Sequence, residues 1–205
     1  MARNIENKKD PDDLYVQALL LAKVVERVLK HRADIELSSA PKVELKPITE
    51  FIKRMRISGL TKFDERTYIS TVNFYKNEKD GEQKKAIGAI IIYLPEMYVF
   101  KLLNELQYPA VIDEDDQAAL LDACGTFCTI VAGNFKSGLT QLGYQELVMS
   151  HFSNYQNDVL NGVEYDPTQK ELYEINFEIK GVKRIVADLT MGPILKVNQE
   201  IKERE

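Results

Sequence analysis

Cysteine is scarce here: 205 residues contain two, Cys124 and Cys128. A pair cannot form the disulfide framework of a small secreted domain in a chain this long. Histidine is equally rare. His31 falls at a helix end and His151 in a strand-like pattern, and no Ser or Cys nucleophile arrangement is tied to either, so both read as structural. Apolar runs such as AIGAIIIYL (86–94) fall far short of the ~20 residues that span a bilayer. The opening MARNIENKKDPDD lacks the apolar stretch of a secretory signal. A basic excess is missing too. With 27 Lys and Arg against 32 Asp and Glu, the formal net charge is −5 and the pI near 5.3, the wrong sign for nucleic acid. No Gly-rich phosphate loop of the P-loop or Rossmann type occurs. Together these absences predict a cytoplasmic domain with no nucleic-acid partner and no membrane insertion.

What is present suits a globular core: 44% hydrophobic and 29% charged residues, in a length that fits one domain. Residues 1–11 are polar and read as a loose N-terminus, 12–194 as a single domain, and 195–205 as a charged, solvated tail. From Asp12, a plausible N-cap, Leu14, Ala18, Leu21, Val25 and Val28 repeat at the spacing of one helical face. Residues 38–62 form a mixed connector, broken by Pro41 and Pro47. It is the most basic part of the chain, with Lys42, Lys46, Lys53, Arg54, Arg56 and Lys62, and a helical turn or two is expected around 48–56. It reads either as a solvated linker or as a dock for an acidic partner.

TYISTVNFYK (67–76) is β-branched and aromatic, hence a strand, and NEKDGEQ (77–83) a polar turn with Gly81 available for positive φ. AIGAIIIYL is apolar on both faces, so it belongs in the middle of a sheet. Pro95 opens a helix to about Gln107, which Pro109 ends. A second long helix runs from a cap at Asp113 to about Leu142, with Gly143 as its stop. Three further strands lie in YQELVMSHFSNY, KELYEINFEI and KRIVADLTM. The order predicts an α+β fold: a mostly antiparallel sheet packed by two long helices and a shorter one.

At ~100° per residue, the helix over 113–142 gathers Leu121, Cys124, Cys128, Val131, Phe135 and Leu142 into one apolar sector. Asp122, Thr126, Thr129, Gly133 and Lys136 form a second stripe roughly 150° away. The first packs on the sheet. The second is polar and small, and spacing alone favours a merely solvated face. Both cysteines lie on the core face, where they read as small core residues and not as metal ligands.

DACGTFCTIVAGNFKSGL (122–139) resembles the signature helix of the CheX, CheC and FliY group of chemotaxis phosphatases, and is nearest to its CheX-like members. Asp122, Ala123, Gly125, Ala132, Gly133, Asn134, Lys136, Ser137 and Leu139 fall in register with it. GAIIIYLPEMYVFKLL (88–103) is similar to the group's strand-Pro-helix segment, and the strands around Lys180-Gly181-Val182 to its final hairpin. The resemblance covers roughly residues 12–192, with 38–62 longer than the group needs. It implies a CheC/CheX-like fold, a CheY-like receiver domain of a response regulator as partner, and a homodimer paired through sheet edges. It also implies that any magnesium is carried by the receiver, so the chain needs no cofactor of its own.

In that group a Glu engages the receiver's lysine and an Asn positions the attacking water, so catalysis is mostly orientation. The pattern runs Asp or Ser, three residues, Glu, two residues, Asn, and a Pro after a further 22. Asp122 fits its first position, but the Glu position is Thr126, the Asn position Thr129, and the Pro position Phe152. Threonine has neither the reach of Glu nor the two-ended amide of Asn, and in a helix it tends to bond back to its own backbone. No Glu in the chain is followed three residues later by Asn, and Glu114 to Gln117 read as an acidic helix start. The expectation is therefore no catalytic residue and no metal ligand. Asp122, Thr126, Thr129, Gly133 and Lys136 become a partner-binding stripe exposed to solvent. Two alternatives stay open: a working phosphatase with non-standard residues, and a structural, self-associating domain.

Overall fold

The computed structural model describes residues 13–106 and 116–197. The expected caps at Asp12 and Asp113, the stop at Pro109, the N-terminal 1–11 and most of the tail lie outside the described residues. Among the described residues four α-helices, α1 (Asp13–Ala33), α2 (Glu78–Glu82), α3 (Glu96–Glu105) and α4 (Gln117–Gln141), accompany ten strands. These are β1 (Lys42–Pro47), β2 (Glu50–Phe51), β3 (Arg54–Ser58), β4 (Thr67–Tyr75), β5 (Gly88–Pro95), β6 (Val148–Met149), β7 (Ser153–Gln156), β8 (Asp158–Val163), β9 (Glu171–Ile179) and β10 (Val182–Met191).

The main sheet has the order β1-β9-β10-β5-β4-β6, with β7 also on β4, and its pairs are antiparallel. β5, the run apolar on both faces, is central and buried along its whole length. One face carries α1, α3 and α4, sealed by Leu21, Val25, Cys128, Phe135, Phe177 and Leu189 among others. The other face carries a three-stranded sheet, β2-β3-β8, over a second core of Met55, Ile57, Ile69, Ile91, Val159 and Val163.

That second sheet corrects the reading of 38–62 as connector. No helix forms at 48–56. Met55 and Ile57 alternate inward, which suits a strand, and β1 pairs along β9 from Lys42 to Pro47. The turn joining β2 to β3 puts Ile52 and Lys53 at φ of 50° and 58°, where Asn-Gly is the usual choice and a β-branched residue is an outlier. Further differences are local. Residues 78–82 wind into a helical turn because the Asn77 side chain accepts from the Asp80 N–H, and the positive φ falls on Lys84, not Gly81. The run 144–155 gives two short strands, and β8 was not foreseen at all. Asp116 caps α4 by accepting from the Ala119 N–H, and Gly143 stops it at φ 86°. The tail begins tied down, since Lys196 bonds Asp13 at 2.6 Å. Among the described residues α4 is long and apolar enough to cross a bilayer, and half of its most apolar stretch is buried inside the fold.

A buried ionic cluster sits between the two sheets. Register places Glu44, Glu174 and Asp188 side by side across β1, β9 and β10, an arrangement of like charges that destabilises a sheet. Lys62 reaches in after the 3-10 turn Gly59–Thr61, pairing with both Glu174 and Asp188, while the Tyr93 hydroxyl donates to Asp188 at 2.7 Å. Burial pushes the Asp188 carboxyl up, and Lys62 and Tyr93 offset only part of that. Burial also raises Glu174, but the Lys62 contact and the Asn176 amide carry it below its ordinary 4.5. Lys62→Met leaves two acids facing each other and should cost about 3–5 kcal/mol in urea unfolding. Adding Glu174→Gln and Asp188→Asn should recover most of it. Because the Glu174 pKa is lowered on folding, its stabilisation is present above about pH 4.5 and lost as pH falls through the folded value. Asp188 works in the opposite sense, its cost appearing as pH rises past 3.8. Glu174→Gln should therefore flatten the acid limb of the stability curve.

Candidate functional site

The stripe predicted from the sequence runs along α4. The helix is seated by its opposite side: Phe135 packs against Phe74 with ring centroids 5.8 Å apart, and the Cys128 thiol meets the Ser70 carbonyl at 3.5 Å. Burial pushes both cysteine thiols well up, so neither is a ready nucleophile or ligand. Gly138 lets Leu20 of α1 approach where a Cβ would intrude.

The stripe is less open than expected. Asp122 is exposed, whereas Thr126, Thr129, Gly133 and Lys136 are half-buried. Lys136 is already paired with Glu146 at 3.2 Å. Gly133 has open space where a side chain would point. The Thr129 hydroxyl is buried and has no hydrogen-bond partner. The expected bond back to its own helix is not made, although Asn134, Ser137 and Thr140 on the same helix each make one. An orphaned buried hydroxyl costs roughly 1–3 kcal/mol, so this position is constrained by its surroundings and is not a free surface site.

The half-buried Phe152 ring lies on Gly125, and a Cβ built on Gly125 would overlap it. Phe152 occupies the position where the phosphatase pattern has Pro, and here a large aromatic group closes onto the helix. Next along the chain, Asn154 accepts from the Ser70 hydroxyl at 2.7 Å. The Gln156 amide nitrogen is buried without a partner. The structure thus brings two amides from β7 near α4, and both are held in packing. The stripe offers the Asp122 carboxylate, the Thr126 and Thr129 hydroxyls, the Gly133 backbone and the Lys136 ammonium, and none of its five residues is an amide.

Across the main sheet a cleft of about 740 Å³ opens between the two sheets. Tyr93, Asp188, Glu174 and Lys62 line it, with Lys46, Arg56 and Leu160. Sequence reasoning missed this group, although Asp188 inside the apolar run RIVADLTM was a usable signal. It also overstated the basic character of 42–62. Lys42 pairs with Glu178, Lys46 with Glu44, Arg54 with Glu164 and Lys62 with its two acids, which leaves Lys53 and Arg56 without carboxylate partners. Among the described residues no group of three or more His, Cys, Asp or Glu is placed to hold a metal ion.

No family model matches the chain, and no curated protein matches it by sequence. Solved structures do. FliY from Thermotoga maritima superposes with a TM-score of 0.56 at 12% identity, covering 95% of this chain and 96% of that one. A CheC-like superfamily protein from Shewanella sp. PV-4 gives 0.54 at 14% identity, over 84% and 95%. The chemotaxis protein CheX from Desulfovibrio desulfuricans gives 0.53 at 12% identity, over 86% and 99%. At such identities the likeness is one of architecture, and the chain is built on the α+β fold shared by CheX, CheC-like and FliY chemotaxis proteins.

Proposed function

We propose that this chain is a CheX-like module of chemotaxis-type, two-component signalling that binds a response-regulator receiver domain without dephosphorylating it. The carrying observation is the state of α4. By the resemblance, α4 stands where the phosphatases carry Glu and Asn; it presents Thr126 and Thr129 there, and the Thr129 hydroxyl is buried without a hydrogen-bond partner. The open parts of the stripe, Asp122, Thr126, Gly133 and the Lys136–Glu146 pair, are the receiver-facing groups in this reading. Magnesium would arrive with the receiver, and the location is cytoplasmic.

The homodimer belongs to the proposal on the resemblance alone. The outer strand β1 carries Lys42, Lys46 and Pro47, and the opposite edge consists of the short β6 and β7; both are devices that discourage edge pairing. Light scattering at high micromolar concentration decides the point, and a monomer mass removes the dimer.

The purified protein should not accelerate phosphate release from a phosphorylated receiver above the receiver's own rate. Faster release would replace the binding role with a phosphatase using other residues. Thr126→Glu with Thr129→Asn should also stay inert. Asn at 129 adds bulk at a sealed position, and overpacking of that kind costs about 1–3 kcal/mol in thermal or urea unfolding.

A further inference from the structure

On the side of the main sheet away from α1 and α4, no described element packs on the outer face of the β2–β3–β8 layer. Its exposed side chains are large and apolar: Phe51 is 56% exposed, Ile52 76%, Leu60 58% and Leu160 84%. They are contiguous with cations. The Arg56 guanidinium stacks on the Phe51 ring at 5.3 Å and shares the wall of the 740 Å³ cleft with Leu160. Lys53, beside Ile52 at the hairpin tip, rings a second depression of about 430 Å³ with Lys76, Lys84 and Lys85. Among the described residues neither Lys53 nor Arg56 has a carboxylate partner, unlike the other basic residues of 42–62. The first cleft is balanced, with Lys46, Arg56 and Lys62 against Asp158, Glu174 and Asp188, and the positive excess lies at the hairpin tip, where Lys53, Lys76, Lys84 and Lys85 outnumber Asp80 and Asp166. The hairpin also holds Ile52 and Lys53 in left-handed conformations, strain of the kind that accumulates at functional sites.

We infer that this face is a docking surface for an acidic protein segment carrying apolar side chains, with the Phe51–Arg56 stack at its centre. An aromatic ring topped by a guanidinium is the chemistry that dominates binding hot spots. The cleft beside Arg56 gives such a segment a recess for one side chain, and the surrounding lysines match its carboxylates. The charge pattern argues for a protein and against a uniformly anionic lipid surface. Asp158 borders the first cleft, and Asp80 and Asp166 the second, so a featureless negative plane would meet repulsion at each. This face lies across the main sheet from the α4 stripe, so its occupant need not compete with a receiver, and the inference stands whether or not a receiver binds.

The test uses a synthetic peptide of alternating Glu with Phe and Leu, titrated into the full chain and followed by backbone amide NMR shifts. Shifts should centre on residues 50–62 and 158–162, and affinity should fall with added salt. The double variant Lys53→Glu with Arg56→Glu should weaken binding at least tenfold, and Ile52→Ser several-fold. Lys23→Glu, on the exposed side of α1 across the sheet, should leave binding unchanged. All four side chains are exposed or half-buried, and an unchanged melting profile shows that each variant is folded. No binding at millimolar peptide, shifts centred on α4, or an undiminished affinity in the double variant would each overturn the inference. So would charge-dependent binding to phosphatidylglycerol vesicles that exceeds binding to the peptide, since that assigns the face to a membrane.

Discussion

The fold depends on a sheet that cannot be left bare on either side. β4, β5 and most of β10 are buried on both faces, so each face requires a covering layer. Helices cover one face, with α4 seated through Phe135 and Cys128 and α1 running beside it. On the other face the cover is a small sheet assembled from distant pieces of chain, β2–β3 and β8. Each piece is too short to be stable alone, and each becomes a strand because Met55, Ile57, Val159 and Val163 find Ile69 and Ile91 beneath them.

The two layers are held by different physics. The helical side is nearly all apolar, with small residues setting the approach distances: Gly138 admits Leu20, and Gly125 admits Phe152. The small-sheet side is apolar at one end and ionic at the other, where Lys62 separates two acids that the strand register forces together. This division leaves a cleft on the ionic side. It also explains why a lysine from an apparently loose basic segment becomes one of the more constrained residues in the molecule.

What could be read from the chain followed the strength of local pattern. β4, β5, β9, β10, both long helices and the cap at Gly143 carry periodicity or turn chemistry over many residues, and they were legible. β2, β3 and β8 were not, because two to six residues with a handful of inward apolar side chains cannot be told from a linker. The double-faced apolar run of β5 implied a second layer, yet nothing local said which segment would supply it. The α4 stripe was expected to face solvent, and of its five residues only Asp122 is exposed. Helical spacing fixes direction, while the Phe152 ring that closes on Gly125 comes from the connection between β6 and β7, 27 positions away in sequence.

The Phe152–Gly125 contact has a consequence for how such a chain can change over time. An aromatic ring at 152 is compatible with glycine at 125, and it penalises anything larger there. Any single substitution that adds a side chain at 125 meets that penalty at once. The ring must leave first, and its departure alone opens a gap in the helix-side core. The contact therefore couples the two positions, so that neither changes freely without the other.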